Sequence, residues 1–258
     1  MPTLKIFCQQ GHKHCKCGNF GDKLTAFLLQ KLTAYSIESV SYRHIKEADL
    51  IGIGSILQRV PEDYSGIIWS SGFLEDNTKI FSKANIFAIR GKLSLNKING
   101  KTEHTILGDG GLLCYLMASK LPKKYKLGII PHYIDKNLPL IKQMASNPEI
   151  KVIDICGSCD DIIKEVQQCD YVISSSLHGC VVADSLNIPN EWIKLSNKVK
   201  GNGFKFKDYY SAFGMENKTP MILSANDNLD SILNKLQGYE RKNIDVVKSQ
   251  LLESIKAI

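Results

Sequence analysis

The chain has 258 residues, 43% of them hydrophobic and 23% charged, with a formal net charge of +7. This composition supports a real core in one large or two small domains and excludes a globally disordered chain. No apolar run approaches the ~20 residues that span a bilayer, and no zinc finger, RNP-like motif or aromatic-interleaved basic stripe points to nucleic acid. The positive charge reads as a solvated basic surface, with acidic substrates or an anionic membrane face as its functional readings.

Strand-like and helix-like segments alternate from the start. Residues 4–8 predict a strand, entered directly from Met1-Pro2-Thr3 with no visible secretory leader. Residues 9–21 predict a polar, glycine-rich loop. Residues 22–34 predict a helix, with Leu24, Phe27, Leu28 and Leu32 on one face and Asp22 as its N-cap. Residues 49–54, 66–72 and 86–90 read as short buried strands, the last ending on Arg90, and a helix is expected from Lys92. Gly108-Asp109-Gly110-Gly111 opens a short apolar helix, with Asp109 as its cap. Residues 119–126, SKLPKKYK, read as an interdomain linker. Beyond it, strands at 127–131, 150–155, 171–173 and 192–195 alternate with helices at 136–146, 160–168 and 179–186. Helices at 226–236 and 243–258 close the chain. Repeated βαβ alternation predicts an α/β protein with parallel sheets. Two such series predict two Rossmann-like domains, residues 1–120 and 121–258, facing a cleft, with the last helix packing back on the first domain.

The most informative stretch is 169–190, CDYVISSSLHGCVVADSLNIPN. A short apolar strand stops in Ser174-Ser175-Ser176, and Leu177-His178-Gly179 leads into a helix. In open α/β sheets ligands bind outside the carboxyl ends of the strands, and a helix N-terminus there suits an anion. His178 can move a proton at that place. Arg90, at the end of a buried strand, suits bidentate binding of a carboxylate or phosphate, or a structural ion pair. Asn19-Phe20-Gly21-Asp22 occupies the phosphate-cradle position of a first βα unit. There is no G-x-G-x-x-G and no P-loop in residues 1–60, so NAD and NTP are poor readings. Residues 204–207 alternate aromatic and basic groups. As a strand they would set Phe204 and Phe206 against Lys205 and Lys207; otherwise they form a surface turn leading into a helix. The functional reading is a cationic lip over an anionic ligand.

The eight cysteines read as reduced, in a cytoplasmic protein. His12, His14, Cys15 and Cys17 crowd one loop but lack the C-x2-C spacing of structural zinc sites, and no metal is expected. Cys156-Gly-Ser-Cys159 is a C-x-x-C outside a thioredoxin-like context, and its two cysteines read as incidental.

Taken in order, Asn19-Phe20-Gly21-Asp22, Gly52-Ile53-Gly54-Ser55, Ser71-Gly72-Phe73, Ile89-Arg90-Gly91, Leu107-Gly108-Asp109, residues 128–133 (GIIPHY), residues 174–179 (SSSLHG) and residues 204–210 resemble the polysaccharide pyruvyl transferase family, and its exopolysaccharide branch in particular. The resemblance covers about residues 2–214. It implies a fold similar to GT-B glycosyltransferases, with acceptor sugar on the first domain and donor on the second. It implies phosphoenolpyruvate as co-substrate, no cofactor or metal, and a ketal-linked pyruvate placed on a surface polysaccharide such as an exopolysaccharide or capsule, or on its lipid-linked precursor. His178 falls on the family's histidine and is the expected general acid/base, with Arg90 as a second catalytic group. Ser175, Ser176, Leu177, Gly179, His132 and Lys205 are the expected donor-binding residues. Many family members carry an arginine before Leu-His-Gly where Ser176 stands here, so Ser175, Ser176 and backbone N–H groups take over, with His132 or Lys205 adding charge. Asn19, Asp22 and Asp109 are the expected acceptor or loop residues, and acceptor contacts are expected from loops 9–21 and 55–66. Peripheral association with the inner face of a membrane, with no nucleic-acid partner, completes the expectation. The alternatives are a GT-B glycosyltransferase using a nucleotide sugar, with Asp154 or Asp160 as its ribose acid, and a non-catalytic glycan- or membrane-associated protein that keeps only the fold.

Overall fold

The computed structural model describes residues 1–8, 15, 18–100, 104–224 and 227–258. His12, His14 and Cys17 lie outside the described residues. The first half of the chain builds a parallel sheet from β1 (Thr3–Phe7), β2 (Ser36–Val40), β3 (Leu50–Ile51), β4 (Gly54–Ser55), β5 (Ile67–Gly72), β7 (Asn85–Ile89) and β9 (Ile106–Leu107). Its order is β2-β1-β3-β5-β7-β9, with β4 also paired to β5. Two short segments, β6 (Lys79–Phe81) and β8 (Ile98–Gly100), form a separate parallel ribbon. The second half builds another parallel sheet from β10 (Tyr125–Ile130), β11 (Ile150–Val152), β12 (Cys169–Ser174), β13 (Asn190–Lys194) and β14 (Met221–Ile222), in the order β11-β10-β12-β13-β14. The helices are α1 (Phe20–Leu32), α2 (Lys92–Leu95), α3 (Pro139–Met144), α4 (Cys159–Gln167), α5 (Leu177–Ser185), α6 (Phe204–Ser211), α7 (Leu229–Lys235) and α8 (Ile244–Lys256), and Gly110–Met117 forms a 3-10 helix.

The apolar runs of the central strands are buried, as both-sided burial of parallel strands requires. One buried cluster joins both halves: Leu24 and Leu28 of α1, Leu112 and Leu113 of the 3-10 helix, Val181 and Val182 of α5, and Leu251 of α8. Helix α8 packs on β7, β9 and the 3-10 helix, and Trp69 Nε1 of β5 donates to Ser254 Oγ at 2.8 Å. At the far end of α5, Asp184 gathers Tyr209 Oη (2.6 Å), Asn190 Nδ2 (2.6 Å), Tyr239 Oη (2.5 Å) and Arg241 Nε (3.1 Å). A buried carboxylate needs several donors and a countercharge, and Asp184 has them.

Two local expectations change. The cap of α1 is Asn19; Asp22 stands three residues in and closes a capping box, with Asp22 N–H to Asn19 Oδ1 at 3.3 Å and Asn19 N–H to Asp22 Oδ2 at 3.1 Å. The alternating strand at 204–207 is a helix. Phe206, Tyr209, Tyr210 and Phe213 are buried at helical spacing, and the left-handed turn at Gly201, Asn202 and Gly203 leads into α6.

The thiols are not all free. Cys15 and Cys156 form a disulfide across a sequence separation of 141. Beside it, Phe20 N–H donates to Ile155 O at 2.8 Å and Lys23 Nζ to Cys156 O at 3.2 Å. Cys156 is therefore a structural partner of the first loop. Cys159 remains a buried thiol, which burial pushes up to about 12. In protein purified without reductant, Cys15 and Cys156 resist alkylation until dithiothreitol is added, and Cys156→Ser lowers the unfolding free energy by roughly 2–4 kcal/mol. Ready labelling of both thiols in the native, unreduced protein contradicts the bond.

Candidate active site

Strand β12 ends in a turn that Ser174 holds together. Its Oγ lies 2.8 Å from both Ile130 O and Ser176 O and accepts the Ser176 N–H at 3.0 Å. Ser175 Oγ accepts the His132 N–H at 2.8 Å and so ties the end of β12 to the end of β10. Ser176 is the N-cap residue of α5, and its hydroxyl makes no capping bond. Gly179 packs directly on the Ser174 side chain, where a Cβ would collide. The turn thus presents the first backbone amides of α5 with His178 on its first turn.

His178 is 8% exposed. Its Nε2 lies 3.5 Å from Asp109 Oδ2, and neither atom has a hydrogen-bond partner among the described residues. Asp109 caps the 3-10 helix with its other oxygen, which accepts the Gly111 N–H at 2.9 Å. Asp109 does what its sequence context predicts and also turns a carboxylate toward the histidine. On the opposite side the imidazole lies against Gly21, at the start of α1, so closely that a Cβ there would overlap the ring. The glycine of Asn-Phe-Gly-Asp is the space into which the histidine fits.

Arg90 is fully buried and fully engaged. Nε donates to Asp208 Oδ2 at 2.9 Å, Nη1 to Ser55 Oγ at 2.6 Å and Nη2 to Phe73 O at 2.6 Å. Asp208 also accepts the Ser94 N–H and hydroxyl, both at 2.6 Å. Gly91 lets the α6 backbone approach, because a Cβ there would run into Asp208 O. Lys205 sits one turn earlier on α6, three residues before Asp208 and therefore near the same face. Burial first, then the Arg90 charge, pulls the Lys205 ammonium down to about 8.

These elements surround a cavity of about 310 Å³. Of the residues expected at the site, Asn19, Asp22, His132, Ser176, Leu177, His178 and Lys205 line it. Asp109 stands behind His178, and Arg90 stands behind Ser55. Ser175 lines a neighbouring pocket instead. Ser55, Arg59, Tyr133 and Lys200 also line the cavity. Of these, Ser55 and Tyr133 fall in quoted motifs without a role assigned to them. Arg59 ends a short 3-10 helix and Lys200 lies in a turn; both are exposed, and nothing in their spacing marks them.

Residues 19–197 match the family model described as polysaccharide pyruvyl transferase, which covers more than half of the chain. The chain belongs to the polysaccharide pyruvyl transferase family. It is also similar to an uncharacterized protein of Acanthamoeba polyphaga mimivirus, at 31% identity over 80% of this chain and 74% of that one. A second relative is the succinoglycan biosynthesis protein ExoV of Rhizobium meliloti, at 26% identity over 77% of this chain and 62% of that one. The family match begins at the α1 cap and takes in Arg90, Asp109 and the His178 turn. Lys205 and Asp208 lie beyond its end. The protein is a pyruvyl transferase that acts on polysaccharide, and its cavity combines one histidine–carboxylate pair with a cluster of cations.

Two substitutions test this geometry. Gly21→Ala displaces the His178 ring and reduces turnover at least about 100-fold, the range of a lost acid–base group, while the urea midpoint moves little. Activity near wild type removes the packing role of Gly21. Arg90→Met leaves Asp208 buried without its countercharge and costs about 3–5 kcal/mol in chemical unfolding. A loss under about 1 kcal/mol, the range of an exposed pair, would show that the pair is dispensable.

Proposed function

We propose that the cavity binds phosphoenolpyruvate and that the protein transfers its pyruvyl group as a ketal across two hydroxyls of a sugar in a surface polysaccharide or its lipid-linked precursor. One observation carries the reading. A histidine backed by a buried carboxylate faces a small cavity bordered by Lys205, Lys200, Arg59 and the amides that open α5. The donor carries a phosphate and a carboxylate, and this set supplies the matching positive charge and N–H donors.

His178 delivers a proton to the methylene carbon, which makes C2 electrophilic. Asp109 orients the ring and stabilises its charged form. A sugar hydroxyl adds to C2 and loses its proton to the emptied histidine. Phosphate then departs with its bonding pair, a second hydroxyl adds to the same carbon, and its proton leaves with the phosphate. Arg90 acts through Ser55 and through the position of α6. Ser176 offers its hydroxyl at the place where the family resemblance implies an arginine. The first half of the chain is proposed to face acceptor and the second to face donor, in a GT-B-like arrangement. No described helix is long and apolar enough to cross a membrane. With a net charge of +7, peripheral association with an anionic membrane face, at the cytoplasmic side, is part of the proposal.

Incubation with phosphoenolpyruvate and candidate acceptor glycans releases phosphate and yields a product heavier by one ketal-linked pyruvate. Tight binding of a nucleotide sugar with no turnover of phosphoenolpyruvate on any acceptor removes the reading. His178→Ala lowers kcat by about 10²–10⁴-fold without unfolding the chain. The lysine adds a pH signature. Its folded-state value, about 8, lies below the ordinary 10.5. Between those values the unfolded chain holds a proton that the folded one has released, so this group's contribution to stability rises with pH there. Donor binding runs the opposite way and weakens as pH rises through about 8. Lys205→Met flattens that part of the donor-affinity profile, and an unchanged profile in this variant excludes Lys205 as the group responsible.

A further inference from the structure

A second pocket, of about 580 Å³, opens at the carboxyl ends of β12 and β13, beside the catalytic cavity. Lys200 lines both spaces. Ser175, which lines the second, is next in sequence to Ser176, which lines the first. Among the pocket's walls are Trp192 and Phe206, stacked at 4.4 Å with their rings 6° from parallel. Asp135 lies buried beneath, with Oδ1 accepting from Ser196 Oγ at 2.6 Å and Oδ2 from Ser175 Oγ at 3.4 Å. Its charge is thus met by hydroxyl donors at the base of the pocket.

The rim has a different character. Lys194, Lys200 and Lys207 all line this pocket and all are exposed. Each lacks an ion pair among the described residues, although exposure by itself does not prevent one. The exposed Lys92, Lys126 and Lys256, for example, each lie within 4 Å of a carboxylate. Three unneutralised ammonium groups around one mouth repel one another and focus a positive field into it.

We propose that this pocket is the acceptor subsite and that the acceptor is an anionic saccharide. Its carboxylate- or phosphate-bearing sugar sits among Lys194, Lys200 and Lys207, next to the sugar that receives the pyruvyl group. The proposal rests on the donor occupying the cavity at His178. That donor is small, so the adjoining pocket is left for the sugar chain. This locates acceptor contacts in the second half of the chain, in addition to the loops at 9–21 and 55–66.

The test is calorimetric titration of the full chain with three probes: a glucuronate oligosaccharide, a phosphorylated mannan oligosaccharide and a neutral cello-oligosaccharide. At least one anionic probe binds roughly tenfold or more tightly than the neutral one, a difference of about 1.4 kcal/mol. The preference shrinks in 0.5 M salt, where the screening length is about half its physiological value, and is lost in the double variant Lys194→Glu/Lys207→Glu. The two anionic probes separate carboxylate from phosphate recognition. Phosphoenolpyruvate, titrated separately, binds this variant as it binds wild type. Equal affinity for all three probes, a preference that survives the double variant, or loss of phosphoenolpyruvate binding in it each overturns the proposal. If phosphoenolpyruvate fails to bind wild type while an anionic saccharide binds and depends on the two lysines, the donor reading falls and the saccharide site stands.

Discussion

The buried ion pair between Arg90 and Asp208 is the constraint on which the site depends. It joins the end of a strand in the first sheet to a helix that connects the last two strands of the second. A buried pair is weak evidence of stability in itself, because desolvation offsets much of its attraction. Its value is geometric. The guanidinium fork has three partners at fixed angles: the Asp208 carboxylate, the Ser55 hydroxyl and the Phe73 carbonyl. Because Lys205 and Asp208 belong to the same two turns of α6, fixing one places the other. An arginine that touches no ligand therefore decides where a cavity lysine stands, and its charge lowers that lysine's proton affinity.

The histidine is placed by an equally long-range arrangement. Asp109 comes from the loop after β9, Gly21 from the first turn of α1, and His178 from the first turn of α5. No two of these are neighbours in the chain. Each local feature has an ordinary structural reason, a cap or a close approach, and the candidate site arises where they meet. The Ser174 hydroxyl holds the turn that makes the meeting possible without itself lining the cavity.

The alternation of strands and helices, the parallel sheets and about half of the cavity lining are legible in the sequence because each depends on local pattern. Apolar runs, caps and strand-end glycines identify their elements without knowledge of the partner. Three things are not fully legible for the same reason. The role of Arg90 depends on Asp208, 118 residues away. The helical state of 204–211 is legible only as one of two readings, because four alternating residues also satisfy a strand period before Tyr209, Tyr210 and Phe213 reveal the helical one. The Cys15–Cys156 bond joins residues whose local spacing suggests other uses. Arg59 and Lys200 carry no individual signal, since an exposed lysine or arginine has the same local pattern whether or not a cavity opens beside it.

The carboxylate at the far end of α5 has a consequence for the order in which the protein becomes competent. Asp184 takes donors from Tyr239 and Arg241, 55 and 57 residues further along the chain. During synthesis, the helix that bears His178 therefore emerges with its terminal carboxylate still lacking two of its partners. The full set of donors that anchors the helix bearing His178 is complete only after a segment more than fifty residues further along has left the ribosome.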